Sequence, residues 1–462
     1  MKQLTLAAFV ILLAVSCTQQ KNYRLTGESA RWTDPDMIHL SGDSLLMEGE
    51  FKQVFFRPGL FDSFENFVLT AHIGTMRGAN GGIVFHTSRR NPDKGYEVRI
   101  NNSPVGDWDQ LLKTGSLSSI RNVYYTMMEE EAWFDLEIRV VENQVRIRIN
   151  GQPVVNYTEP VMPFRTTELE QRKLGSGTFA VRSHAGNTGF VITDMQVTKL
   201  PGEAKKEVED PDFTRQITQL HTRKFPVVDY HVHIKGDLTM EEALEQSARL
   251  GINYGIAANC GLKFPIQNDT ELQEYLESIH RLPIFKAMQA EGREWTDMFS
   301  PELVNRFDYA FTDAMTWTND RGTRMRLWIP EETDVGDPGD FMDQLVAQIE
   351  KIVTEPIAIY VNPTYLPAEL QDRYEELWTE ERIDRVVAAL RDNNVALEIN
   401  NRYQLPGPRF IVKAKAAGVK FAMGTNNTGA PDLGRLDWAI EQVETFNLQP
   451  SDMYLPEKRP ME

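Results

Sequence analysis

The stretch Phe225–His233, FPVVDYHVH, is the part of this chain best equipped for chemistry. It reads as a buried β-strand ending in Asp229-x-His231-x-His233. Side chains alternate along a strand, so His231 and His233 share a face, about 7 Å apart along the backbone. Two histidines on one face at the C-terminal end of a strand can grip one divalent metal, and that end is where (β/α) barrels keep their sites. The alternative is a strand whose histidines only satisfy local hydrogen bonds. Spacing alone does not choose between the two.

The elements that must position these residues change character along the chain. Residues 27–200 are strand-like. Runs such as Phe67–Ile73, Gly82–His86, Gly95–Ile100, Trp133–Val141, Val145–Ile149, Val154–Tyr157, Gly177–Arg182 and Phe190–Thr198 alternate apolar and polar residues. Asn150-Gly151 between two runs is a hairpin signal. Many short antiparallel strands with little helix imply an all-β sandwich or jelly roll. Residues 201–220 begin charged and proline-punctuated and are expected to be a linker. From 221 to 462, seven strands alternate with helices: Val227–His233, Tyr254–Asn259, Phe285–Glu291, Tyr309–Met315, Ile357–Asn362, Val395–Asn400 and Lys420–Thr425. Thr239-x-x-Glu242 is a capping box with Gly251 as the stop, and Ser300-Pro301 and Thr379 open further helices. Such alternation predicts a parallel sheet, and seven units predict a (β/α)7 barrel.

The opening Asp229-x-His231-x-His233 of a seven-unit α/β chain resembles the PHP (polymerase and histidinol phosphatase) superfamily of metal-dependent hydrolases, over about residues 220–445. The family's Thr-Asp-His strand end stands here as Ala258-Asn259-Cys260, and its Ser-x-His end as Asp313-Ala314-Met315. Its final Gly-Ser-Asp-Ala-His is Gly424-Thr425-Asn426-Asn427-Thr428, while Leu397–Asn400 is intact. Aspartates have become Asn259 and Asn426, and histidines Cys260, Met315 and Thr428. The resemblance therefore leaves His231, His233 and Glu291 as metal ligands, with Glu294 a close competitor to Glu291. Three ligands suit one catalytic Zn²⁺ or similar ion but not a multinuclear phosphoesterase cluster. Cys260 is either a soft ligand or a core filler.

A second resemblance covers about residues 28–199. Gly78–His86, Gly95–Ile100, Thr114-Gly115, Trp133–Arg139, Asn150-Gly151, Gly177–His184 and Phe190–Leu200 resemble the bacterial domain once called DUF1080, associated with 3-keto-glycoside hydrolysis, 1,2-lyase and hydratase chemistry on a concanavalin-like fold. Leu117-Ser118 departs from the family's aromatic ending of one run. In that chemistry a C3 ketone acidifies the C2 proton, a base removes it, the enolate is stabilised and the C1 substituent leaves. The resemblance then implies Glu97 as base and His184 as acid, with Asn80, His86, Arg89 and Arg182 as substrate contacts. A solvated Glu97 and a backbone-bonded His184 are the competing readings.

The first residues, MKQLTLAAFVILLAVSC, read as an export signal, and Ala14-Val15-Ser16-Cys17 resembles a bacterial lipobox. Cys17 would be lipidated and 1–22 would supply signal and tether, giving a cell-envelope protein that meets the membrane only through its lipid. A net charge of −18 disfavours nucleic acid and anionic membrane surfaces as partners. With Cys17 lipidated, Cys260 alone remains, so no internal disulfide forms. The expected activity is 3-keto-glycoside cleavage in the sandwich. The alternatives are a carbohydrate-binding sandwich fused to a mononuclear metal-dependent hydrolase barrel, and a non-catalytic glycan-binding protein. Oligomeric state is not encoded in any feature above.

Overall fold

The structure, a computed structural model, describes residues 22–27, 29–59, 62–103 and 111–456. The segment expected to be an export signal lies, with Cys17, outside the described residues. The first strands are β1 (Asn22–Arg24), β2 (His39–Ser41), β3 (Ser44–Met47), β4 (Val54–Phe55), β5 (Phe67–Thr75) and β6 (Gly81–Thr87). Then come β7 (Tyr96–Ile100), β8 (Trp133–Val141), β9 (Gln144–Ile149), β10 (Gln152–Thr158), β11 (Thr178–Ser183) and β12 (Phe190–Lys199). They form an eight-stranded sheet, β10-β9-β8-β5-β12-β3-β2 with β1 also on β12, and a four-stranded sheet, β4-β11-β6-β7. All pairs are antiparallel, as the alternating pattern requires. On β5, Phe67, Leu69, Ala71 and Ile73 are buried while Val68, Thr70 and His72 are not. They pack with Ile83, Phe85, Val98, Phe179 and Val181 of the second sheet in one core. Each such Leu, Ile, Val or Phe contributes about 1.5–3 kcal/mol. Asn150 and Gly151 turn β9 into β10 with φ of 50° and 77°, values that favour this dipeptide.

The segment expected to be a linker is irregular only to Asp210. Helix α1 (Pro211–Thr222) follows, with Asp210 accepting from the Phe213 amide and Pro211 in the first turn. The strands that follow are β13 (Val228–Val232), β14 (Asn253–Gly261), β15 (Phe285–Glu291), β16 (Tyr309–Thr312), β17 (Thr316–Thr318), β18 (Arg324–Arg326), β19 (Ile359–Tyr360), β20 (Ala396–Asn400) and β21 (Phe421–Gly424). Seven of them close a parallel barrel, β13-β14-β15-β16-β19-β20-β21, and β17-β18 is a separate hairpin. The capping box of α2 (Met240–Leu250) forms as read, with Gly251 left-handed at its end. Thr379 caps the helix Glu380–Asp392, whereas Ser300 makes no cap bond and precedes a single turn, Pro301–Val304.

Sandwich and barrel are joined by a buried seam. The Tyr124 hydroxyl donates to the Phe225 carbonyl at 2.7 Å, and the Tyr124 amide donates to Asn253 Oδ1 at 2.9 Å. Asn122 Nδ2 donates to the His221 carbonyl at 2.8 Å, and Arg121 donates to Thr218 Oγ1 at 2.8 Å. Tyr125 meets Phe285 edge-on inside the barrel, 6.0 Å between rings. From there, ring contacts run through Tyr230, Tyr309 and Phe311 to His231. The sandwich thus stoppers the barrel beneath its histidines. Tyr124→Phe leaves the Phe225 carbonyl without that donor and is expected to cost about 1–2 kcal/mol. Calorimetry should show both domains losing stability together, because they share the seam. Loss confined to one transition would mean the domains unfold independently.

Candidate functional site

On β7, Glu97 points away from the core that Tyr96, Val98 and Ile100 enter, and it is 2% exposed. Gly82, paired with Arg99 across β6 and β7, leaves room for the Glu97 side chain: a Cβ there would sit 2.8 Å from Glu97 Oε1 and 2.7 Å from the Val98 carbonyl. Glu97 Oε1 bonds His184 Nε2 at 2.5 Å and lies 3.5 Å from Arg99 Nη1. Its Oε2 accepts from Arg182 Nη1 at 3.0 Å, with Arg172 Nη2 at 3.8 Å. Arg182 also donates to Gln53 Oε1 at 2.8 Å, and Arg99 to Asn80 Oδ1 at 2.5 Å. Asn80 is fixed in turn by Asn187 and the Ala185 carbonyl.

Burial alone would raise the Glu97 pKa, but the His184 bond and the Arg99 and Arg182 charges outweigh it and hold Glu97 at about 2. It is an ionised, weakly basic carboxylate across the whole working pH range. His184 is 29% exposed, and its Nδ1 has no hydrogen-bond partner among the described residues. One edge of the imidazole is therefore anchored and the other is free to meet a ligand. Gly82→Ala should displace Glu97 and strain the β6–β7 pairing. The expected result is about 1–3 kcal/mol lost in denaturant unfolding together with weakened ligand binding.

Of the residues expected at this site, Glu97, His184, Arg182 and Asn80 come together. His86 and Arg89 do not. His86 has φ 57°, is buried, and satisfies both ring nitrogens with backbone: Nε2 with the Glu65 carbonyl at 2.9 Å and Nδ1 with the Gly175 amide at 3.2 Å. Burial holds it neutral, with a pKa of about 4. It braces the β6 end, and Arg89 is exposed on the turn beyond. Sequence reasoning missed Gln53, Arg99 and Arg172 as members. Arg99 was signalled by its i+2 position from Glu97 on one strand.

At the mouth of the barrel, His231 Nδ1 bonds Glu398 Oε1 at 2.7 Å and His233 Nδ1 bonds the Ala257 carbonyl at 3.0 Å. The rings are 5.1 Å apart. Glu291 Oε1 accepts from Asn259 at 2.7 Å, and burial, then the neighbouring Asp313, push the Glu291 carboxyl up. His231 Nε2, His233 Nε2 and Glu291 Oε2 are buried without partners. In kind, two imidazole nitrogens and a carboxylate oxygen fit one divalent ion, and Glu398 orients His231 as such ligands require. Among the described residues, no group of three or more His, Cys, Asp or Glu stands close enough to form a ready metal cage. Cys260 is buried, its Sγ contacts the Ala258 carbonyl, and burial pushes its thiol up, so it fills core. Glu294 pairs with Arg324 away from the histidines. Two polar cavities beside the β17–β18 hairpin, of about 170 and 200 Å³, are lined by none of His231, His233 and Glu291, whereas Glu294 lines the first.

Residues 60–191 match the model of the 3-keto-alpha-glucoside-1,2-lyase-like domain. The match lies within the sandwich, spans the Glu97–His184 cluster, and makes the lyase-like domain carbohydrate-active in type. It does not extend to the barrel. No curated protein matches the chain. Among solved structures, a Parabacteroides distasonis protein, its glycosyl hydrolase assignment unproven, aligns at TM-score 0.32 and 15% identity, covering 39% of this chain and 100% of that one. A second from that organism aligns at TM-score 0.30 and 11% identity, covering 36% and 84%. The carbohydrate-binding module CBM66 of Bacillus subtilis aligns at 0.22 and 12%, covering 37% and 87%. Likenesses at these scores carry no argument about activity.

Proposed function

We propose that the lyase-like domain cleaves glycosides already oxidised to a ketone at C3. The observation that carries this is the Glu97–His184 pair at 2.5 Å, ringed by guanidiniums, inside the matched domain. The roles implied by the resemblance are better exchanged. A carboxylate held near 2 is a poor proton acceptor, so Glu97 orients His184 and His184 is the base. His184 Nδ1 takes the C2 proton, and the electrons move onto the C3 oxygen. Arg182 and Arg99 stabilise that enolate. As the carbonyl re-forms, C1=C2 forms, the C1–O bond breaks, and the leaving oxygen takes a proton from the imidazolium. Water then adds across C1=C2, giving net hydrolysis. Deuterium at C2 should slow turnover of a 3-keto-glucoside. An unchanged rate under conditions where chemistry limits turnover would remove C2 proton abstraction from the mechanism.

The second reading, a glycan-binding sandwich beside a mononuclear hydrolase barrel of PHP type, is favoured by the three unpartnered donors. His231, His233 and Glu291 would hold the ion, which would supply Lewis acidity when bound. Export and lipidation at Cys17 are proposed from the sequence. No described helix is long and apolar enough to cross a membrane. Cys17→Ser should release the protein from the membrane fraction, and continued retention would count against a lipid anchor.

A further inference from the structure

The cleft around Glu97 holds more positive charge than one carboxylate balances. Arg99, Arg172 and Arg182 all face it, within a chain whose net charge is −18. Arg182 is committed to Glu97 and Gln53, and Arg99 to Asn80 and Glu97. Arg172 is different. Its nearest approach to Glu97 is 3.8 Å, and its side chain makes no hydrogen bond among the described residues. Its Nη1 is buried without a partner, yet 13% of the side chain remains open to solvent. Arg99 Nε and Arg182 Nε are also buried and unpartnered. Asp93 is the other acidic group acting on Arg172, but it is exposed, so water and salt screen it.

A buried guanidinium without an acceptor is costly, and a site that keeps one has a use for it. Guanidinium presents a planar fork of donors that matches a carboxylate in two parallel bonds. We propose that this cleft selects glycosides carrying a carboxylate on the sugar, a uronic acid unit, with Arg172 as the anion anchor. The proposal rests on reading the cleft as a glycoside site. It adds the class of sugar that the site takes. Arg172 lies across Glu97 from His184, its Nη2 3.8 Å from Oε2 while His184 holds Oε1. The anchored carboxylate and the proton-accepting imidazole thus occupy separate parts of one cleft.

Calorimetric titration of the whole mature chain with methyl glucuronide and methyl glucoside tests this. Both sugars are unoxidised, so neither turns over. The glucuronide should bind at least about tenfold tighter, the size of one charge-assisted hydrogen-bond pair. Arg172→Gln should erase that gap, weakening glucuronide binding about tenfold more than it weakens glucoside binding. Arg172→Lys, which keeps the charge but loses the fork, should recover only part of it, and it serves also if the Gln variant does not fold. Equal binding of the two sugars, no binding of either at millimolar concentration, or a gap that survives Arg172→Gln would overturn the proposal. The outcome separates from the catalytic reading. Preference for glucuronide without cleavage of any keto-sugar would support the anion site and sink the elimination. Cleavage of a 3-keto-glucoside with equal binding of both sugars would do the reverse.

Discussion

Glu97→Gln is expected to lower kcat on a 3-keto-glucoside by roughly 10³- to 10⁴-fold, the scale seen when the carboxylate orienting a catalytic histidine is neutralised. The amide keeps an acceptor oxygen, but it can turn an N–H toward His184 and no longer stabilises an imidazolium. The same change leaves Arg99, Arg172 and Arg182 around a neutral group. Breaking a buried ion cluster by removing one sign costs about 3 kcal/mol or more, so denaturant unfolding should move with activity. Because Glu97 titrates at about 2, its charge is fully present above the ordinary carboxylate range. The stability it gives is complete above about pH 4.5 and is lost only as pH falls towards 2. Between pH 5 and 8, the gap in unfolding free energy between native protein and Glu97→Gln should therefore not widen as pH rises. A gap that grows through that window would mean Glu97 titrates there and is free to act as the base.

His184→Ala should lower kcat by about 10²- to 10⁴-fold, the span of a positioned general base. Its signature differs from that of Glu97→Gln. His184 is 29% exposed and Glu97 keeps Arg182 at 3.0 Å, so stability should change by less than about 1 kcal/mol. The space it vacates opens to solvent, so added imidazole should restore part of the rate. Loss of activity without rescue, together with a large loss of stability, would make His184 a structural partner of Glu97 rather than the base.

Much of the architecture is legible in the residues. The outer sheet alternates because one face meets the core and the other water, so β5, β8 and β12 follow from period-two patterning. The seven barrel strands follow from strand–helix alternation and from caps such as Thr239 and Gly251. Strands β1 to β4 have two to four residues, too few for any period to show. Helix α1 carries its own start signal, Asp210-Pro211, within a charged stretch that otherwise looks like linker.

The site is less legible, for definite reasons. Every residue of β6 and β7 is buried, so alternation cannot say whether Glu97 faces water or a cleft. Of the guanidiniums around it, Arg172 lies 75 positions further along in an irregular segment and has no pattern to announce it. His86 resembles a ligand in sequence because it ends a strand beside Arg89. Its left-handed backbone turns it instead into contacts with Glu65 and Gly175. In the barrel, Nε2 of His231 and His233 and Oε2 of Glu291 stand among several buried polar atoms without partners, Tyr254 Oη and Trp317 Nε1 included, while Asn259 holds Glu291 and Glu398 holds His231.

The central claim is that the Glu97–His184 cleft acts only on a sugar oxidised at C3. The direct measurement is aglycone release by the mature chain from a 3-keto-glucoside and from the same glucoside unoxidised, each with and without chelator. The account predicts release from the keto substrate alone, abolished in His184→Ala. Loss of that release with chelator would bring the barrel's donors into the reaction. Release from the unoxidised glucoside at a comparable rate, or from neither substrate, would contradict it.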